Sequence, residues 1–212
     1  MTAKKPSSFE RNRELALQLF ASQGFGQVSL RKLASSLGLS TAALYNHCSS
    51  KEELLYEALE EHYENILLIV RRSARSTSNA QQRLHSISRD IAQLHGLAPW
   101  RFLLANRERH CLSSDHRQQV EQLRQHIALQ LLQLSAPPMD EQSPGAQVAS
   151  QLALNLLEQL PVWLADSQLN AAGQRPLIEH FIQGALCQLS GLPRTPDIAE
   201  EPAYAELQRR SA

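Results

Sequence analysis

An all-α fold follows from three observations on this 212-residue chain. Leu and Ala dominate an apolar content of 42%, while aromatics make up 5%, a bias toward strong helix formers and away from strand formers. Apolar residues recur at helical spacing nearly throughout. The interruptions are Gly, Ser and Pro clusters of cap or loop type, with no period-two alternation and no internal repeat against them.

The elements follow in order. A first helix spans Ser8 to Gln23, with Leu15, Leu19 and Phe20 on one face, and "GFG" breaks it because glycine accepts turn geometry. Ser29 caps a helix over 30–37, Gly38 ends it, and Ser40 caps the next, from Thr41 to His47. Ser50 and Glu53 form a Ser-x-x-Glu capping box. It opens a long amphipathic helix traced by Leu54, Leu55, Ala58, Leu59, His62, Ile66 and Val70. Arg71, Arg72 and Arg75 at its far end suit the helix dipole. After the "STSNA" loop, further helices are expected over 80–97, 99–110, 113–135, 144–167 and 174–191, with 136–145 as the clearest interior loop. Pro161 should kink or break the helix that contains it. Beyond Gly191, Pro193, Pro196 and Pro202 mark an extended or frayed tail.

Composition narrows the class. The start, "MTAKKPSSFERNR", has no apolar core of a secretory signal, and no run approaches the roughly 18 apolar residues of a membrane span. Cys48, Cys111 and Cys187 are odd in number and widely spaced, which fits a reducing compartment and a cytoplasmic protein. Net charge is zero, yet residues 1–51 hold Lys4, Lys5, Arg11, Arg13, Arg31, Lys32 and Lys51 against Glu10 and Glu14. A basic head on an acidic body fits a head that meets an anion. "GFGQVS" lacks the third glycine of a dinucleotide loop and follows a helix. No GxxxxGK[ST], HExxH or GxSxG motif occurs, so the chain reads as a non-enzyme without cofactor.

The stretch "SLGLSTAALYNHCSSKEELL" carries the functional signal. A helix-turn-helix needs apolar residues at its inner positions, a small residue where the helices touch and a glycine that reverses the chain. Leu33, Leu37, Leu39 and Leu44 supply the first, Ala34 the second and Gly38 the third. The outward Arg31, Lys32, Thr41, Ala42, Ala43, Asn46 and His47 are types that meet phosphates or base edges. An ordinary helical hairpin within a bundle would carry no such bias.

The run "RELALQLFASQGFGQVSLRKLASSLGLSTAALYNHCSSKEELLYEAL" resembles the DNA-binding head of the TetR family of bacterial transcription regulators. "ALQLFASQGF" is similar to that family's first helix, "SLRKLASSLGLS" to its second helix and turn, and "LYNHCSSKEELL" to its recognition helix running into the fourth. The chain departs from the pattern at Cys48, where an aromatic is usual, and at Ser49, where a basic residue is usual. Cys48 reads as a modest hydrophobic plug or, on a sharper reading, as a redox-sensing thiol.

The resemblance implies roles. Thr41, Ala42 and Ala43 would face the major groove, Tyr45 and His47 would grip phosphates, and Asn46 would reach a phosphate or base edge. Ser29 and Lys51, at helix starts, would add phosphate contacts, and Lys4 and Lys5 would do so from an N-terminal arm. It further implies a division into an arm and head (1–50), a helical effector-binding and dimerisation body (51–192) and a tail (193–212). The dimer would form through the stripe Ala149, Leu152, Ala153, Leu156, Leu160 and Trp163 with the stripe Ile178, Phe181, Ile182, Ala185, Leu186 and Leu189, the alternative being that both stripes bury into their own subunit. Two heads would then reach successive major grooves of a pseudo-palindromic operator.

Between head and dimer helices the family keeps a ligand pocket. Its candidates here are His62, Ile66, Ile91, Leu94, His95 and Trp100, then Leu103, Leu104, Val120, Leu123, Ile127 and Trp163. Ordinary core is the competing reading of that set. Segment 103–124 resembles a branch of the family that answers acyl-CoA thioesters, with Arg107, Arg109, Arg117 and Arg124 as phosphate forks. Salt bridges to Glu108, Asp115 and Glu121 on a solvated face are the alternative. His110, Cys111, Asp115 and His116 match no metal-ligand spacing, so no metal is expected. The function expected is an effector-released repressor that binds operator DNA as a homodimer. The rival is a chromosome-organising DNA binder with a protein partner and no small ligand.

Overall fold

Local chemistry accounts for where the N-terminal helices begin and end. In the computed structural model, which describes residues 8–45, 48–77, 79–134, 144–165, 167 and 169–189, α1 (Ser8–Gln23) stops at Gly24. That glycine has a φ of +86°, a value open to glycine and costly for other residues. A 3-10 turn over Phe25–Gln27 follows, with Phe25 edge-on to Phe20 at 5.2 Å.

α2 (Leu30–Ser36) starts where Ser29 Oγ accepts from the Lys32 amide, and it ends in a Schellman motif. The Leu39 amide donates to Ala34 O at 2.9 Å and the Gly38 amide to Ser35 O, with Gly38 at a φ of +66°. α3 (Thr41–Tyr45) opens with the Ala43 amide donating to Ser40 Oγ. Asn46 and His47 lie outside the described residues. The capping box forms as expected on its serine side: Ser50 Oγ accepts from the Glu53 amide at 3.0 Å. From it α4 (Lys51–Ser76) runs 26 residues.

The body adds α5 (Ala80–Leu97), capped by Asn79, and α6 (Pro99–Arg107), with proline at its start. After a 3-10 turn over Arg109–Cys111 come α7 (Ser114–Leu132), capped by Ser113, then α8 (Pro144–Ala165) and α9 (Ala171–Leu189). No strand occurs among the described residues. No helix among them is long and apolar enough to cross a membrane. α4 packs on α5, α6 and α7, α8 crosses α6 and α7, α5 lies along α9, and α1 rests on α6. One apolar cluster runs from Ala16 in α1 through Leu55, Ile66 and Ile91 to Cys187 in α9.

Two expectations are corrected and a third is narrowed. α6 ends at Arg107 and tightens into a 3-10 turn before position 110. α9 begins at Ala171, before the expected 174, so Pro176 falls inside it. Of the two outcomes expected at Pro161, the break does not occur, and α8 continues to Ala165. Proline removes a single helical hydrogen bond there, and the flanking turns keep the helix going. The 193–212 tail lies outside the described residues.

Candidate nucleic-acid interface

The helix-turn-helix is assembled by the residues that its sequence singled out. Leu33, Ala34 and Leu44 are buried, Leu37 and Leu39 are half-buried, and Gly38 makes the turn between them. These contacts hold α3 with Thr41 and Ala42 exposed and Ala43 half-buried. Tyr45 is 52% exposed at the other end of α3, an aromatic that packing leaves outside. Arg31 and Lys32 are exposed on α2, beside the exposed Ser29 whose hydroxyl is occupied as a cap. Lys4 and Lys5 lie outside the described residues.

Lys51 departs from its expected role. Its ammonium donates to Phe25 O at 2.7 Å and Val28 O at 2.9 Å, and stands 3.9 Å above the Phe25 ring. Two carbonyls and a ring face satisfy the charge internally, so Lys51 ties the start of α4 to the 25–28 turn instead of reaching outward. Cys48 is buried and donates to Leu44 O, and burial, aided by Glu57, pushes its thiol pKa up. That environment suits the plug and opposes the redox sensor, which needs a thiolate. A small apolar hollow lined by Ala16, Leu37, Leu44 and Cys48 marks the volume that a larger side chain would fill.

Two ionic networks tie α4 to its neighbours. Arg13 of α1 donates to Glu61 of α4 at 2.9 Å. Arg101 of α6 bridges Glu14 of α1 and Glu61. Burial raises the Glu61 pKa, but the hydrogen bonds from Arg13 and Arg101 outweigh it and hold the carboxyl below its ordinary value. At the start of α4, Glu52 accepts from the Ser113 amide and from His116 Nδ1, each at 2.9 Å, while the His116 ring stacks on Tyr56.

Residues 13–58 match the family model for "Bacterial regulatory proteins, tetR family". The head of the chain is of the TetR family type. The transcriptional activator FasR of Mycolicibacterium smegmatis is 34% identical over 71 residues, covering 34% of this chain and 32% of FasR. The repressor KstR2 of Mycobacterium tuberculosis is 32% identical over 74 residues, 35% of this chain and 37% of KstR2. Its solved structure, described as a ketosteroid transcriptional regulator, superposes with a TM-score of 0.66 at 18% identity, covering 91% of this chain and 98% of that one. The nucleoid occlusion factor SlmA of Salmonella paratyphi B is 33% identical over 86 residues, 41% of this chain and 43% of SlmA. These sequence matches thus span about a third to under half of each relative, and the structural likeness concerns the fold.

The TetR-type dimer stripes divide between two environments. Ala153, Ile178 and Ile182 are buried within their own subunit, while Ala149, Leu156 and Ala185 are half-buried. Leu152 and Phe181 are 53% and 60% exposed, and the side chains of Leu160 and Leu189 lie outside those described. Trp163 is expected both on the dimer stripe and in the pocket, and its exposure favours the first. It is 66% exposed and sits eleven positions after Leu152, three helical turns along the same face of α8. It joins the outer stripe and leaves the interior set.

Among the other TetR-type pocket candidates, His62, Ile66, Ile91, His95, Leu104, Val120 and Ile127 are buried, and Leu94, Trp100, Leu103 and Leu123 are partly so. The arginine-rich segment resolves one residue at a time. Arg124, 5% exposed, grips Glu158 of α8 through Nε and Nη2 at 2.7 and 2.8 Å and also reaches Glu121. Arg109 donates to Tyr63 Oη, while Arg107 and Arg117 are exposed. Glu158 escaped the sequence reading, and its signal was a lone carboxylate at an inward position of an otherwise uncharged helix. Among the described residues His110, Cys111, Asp115 and His116 share no common site; His116 draws toward Glu52 and Glu53 instead.

Proposed function

We propose that this chain is a cytoplasmic transcriptional repressor that binds a pseudo-palindromic operator as a homodimer and releases it when a small-molecule effector enters the body. The observation that carries this reading is the Gly38 turn, which presents Thr41, Ala42 and Tyr45 outward from a buried Leu33–Ala34–Leu44 seat. Arg31 and Lys32 beside it would hold phosphates, and Thr41 and Ala42 would meet base edges. The exposed Leu152, Trp163 and Phe181 support a partner copy across α8 and α9, and a twofold pair would place its heads about one DNA turn apart. Head, body and tail would divide at about 50 and 192. The repressor sign follows KstR2, named a repressor, while FasR is named an activator.

An acyl-CoA effector would need free cations, and the commitment of Arg124 to Glu158 removes the most deeply placed one. That shifts the balance toward a lipophile without a nucleotide. The SlmA likeness favours a second reading, a chromosome-organising DNA binder with a protein partner, but it covers 43% of SlmA.

Fluorescence anisotropy on DNA flanking the chain's own gene, with an unrelated duplex as competitor at two salt concentrations, tests the proposal. Binding that survives competition is the expected result. Binding lost equally to competitor and salt would overturn a local operator.

A further inference from the structure

His62 of α4 is 1% exposed, and neither Nδ1 nor Nε2 has a hydrogen-bond partner among the described residues. The ring lies edge-on to Phe102 of α6 at 4.6 Å and to Tyr63 at 5.2 Å, and His95 of α5 lies edge-on to the same Phe102 at 5.4 Å. The neighbours do not relieve it. Phe102 offers no acceptor, Tyr63 Oη is engaged by Arg109, and Arg101 spends its guanidinium on Glu14 and Glu61.

Burial, with a further push from Arg101, brings the His62 pKa down to about 3. The ring is therefore a neutral imidazole at physiological pH, with one N–H to donate and one lone pair to accept. Buried polar groups are nearly always satisfied, and an orphan on both sides of one ring calls for an explanation beyond packing. An apolar side chain of similar volume would fill this space at lower cost.

We propose that the effector of the regulator described above is a neutral lipophile whose hydroxyl or carbonyl oxygen hydrogen-bonds to His62. The word effector rests on the proposed function; the polar site rests on His62 alone. An anion is a poor occupant, because one N–H between aromatic rings would have to replace its whole hydration shell. A cation is opposed because the Arg101 charge outweighs that of Glu61 at the imidazole. Leu94 and Trp100, partly buried, pack against the same apolar core.

Three probes of nearly one shape separate the possibilities: p-cresol, p-xylene and p-toluate. Thermal shift on the full chain is expected to rank p-cresol first, with affinity roughly tenfold above p-xylene, the worth of one buried hydrogen bond. Ring 15N shifts of His62 in the wild type should move with p-cresol and stay fixed with p-xylene. His62→Phe, or His62→Leu should the first variant fold poorly, is expected to raise Tm by about 4 °C and abolish the p-cresol preference. Preference for p-toluate, equal binding of p-cresol and p-xylene, no stabilisation by any probe, or a His62 ring already hydrogen-bonded without ligand would each overturn the site. Operator binding is read separately by anisotropy. Its loss would sink the regulator reading and leave the probe ranking intact, while a failed ranking with operator binding intact removes only the His62 site.

Discussion

Arg101 Nη2 of α6 lies 2.7 Å from Glu14 of α1, and its Nη1 lies 2.8 Å from Glu61 of α4. A single guanidinium thus fastens a body helix to the head's first helix and to the helix that leaves the head. The arginine is 12% exposed, while both carboxylates are about two-fifths exposed, so solvent screens part of the attraction.

Arg101→Leu should therefore lower stability by about 1–2 kcal/mol, the discounted cost of freeing two carboxylates of which Arg13 retains one. Urea unfolding measures it. A loss below the error of the method would mean that the fastening is cosmetic.

His62 has a second consequence, in acid. Its folded pKa of about 3 is below the ordinary 6.5, so the unfolded chain takes up a proton that the native state refuses. The neutral ring carries no proton-linked penalty above pH 6.5, and stability falls as pH drops from there toward 3. At pH 5 the loss is about 2 kcal/mol relative to pH 7. His62→Phe should flatten that limb of the Tm-against-pH curve. Glu61 and Glu52 are held below their ordinary 4.5, so their contributions disappear lower still, as pH drops beneath that value. A curve unchanged in the variant between pH 7 and 5 would show that the imidazole is not buried neutral.

Glu158→Ala should cost about 3–5 kcal/mol, because it strands the Arg124 guanidinium in the interior. Replacing both, with Arg124→Met and Glu158→Leu, should recover most of the loss. Chemical denaturation of the three variants decides it. If the double variant is no better than Glu158→Ala, packing rather than charge holds α7 to α8.

Lys51→Ala removes two charge-assisted hydrogen bonds inside the head and should cost about 2–3 kcal/mol. Its DNA affinity should fall at temperatures where the head loosens, with the slope against salt unchanged. Arg31→Ala and Lys32→Ala should do the reverse, each leaving Tm alone and reducing the slope by about 1. A reduced slope for Lys51→Ala would return that side chain to the phosphates.

Paired substitutions Leu152→Glu and Phe181→Glu should yield a folded monomer by light scattering, with operator affinity down at least tenfold through loss of the second head. A surviving dimer would place the interface elsewhere.

What the sequence revealed and what it hid separate by range. Ser29, Gly38, Ser40 and Ser50 act on amides or backbone angles within a few positions, so helix boundaries in the head were legible. Lys51 meets carbonyls 26 and 23 positions away, and Arg124 meets Glu158 at a separation of 34. Such partners depend on how helices cross, which periodicity does not encode. Trp163 stood in two sets, the dimer stripe and the pocket, for a related reason. Helical spacing says that a residue shares a face with Leu152, but only packing says whether that face looks in or out.

The unbroken run of α4 turns these local attachments into geometry. At 1.5 Å per residue its 26 residues make a rod of about 39 Å. Its first turns are anchored in the head by Lys51 and its middle is sealed into the body around His62. A tilt of about 5° at the body end would carry the head through about 3 Å, and the opposite tilt in a partner copy would double that to about two base-pair steps. In the proposed dimer, a change no larger than the reseating of one buried ring would then be enough to put two recognition helices out of register with successive grooves.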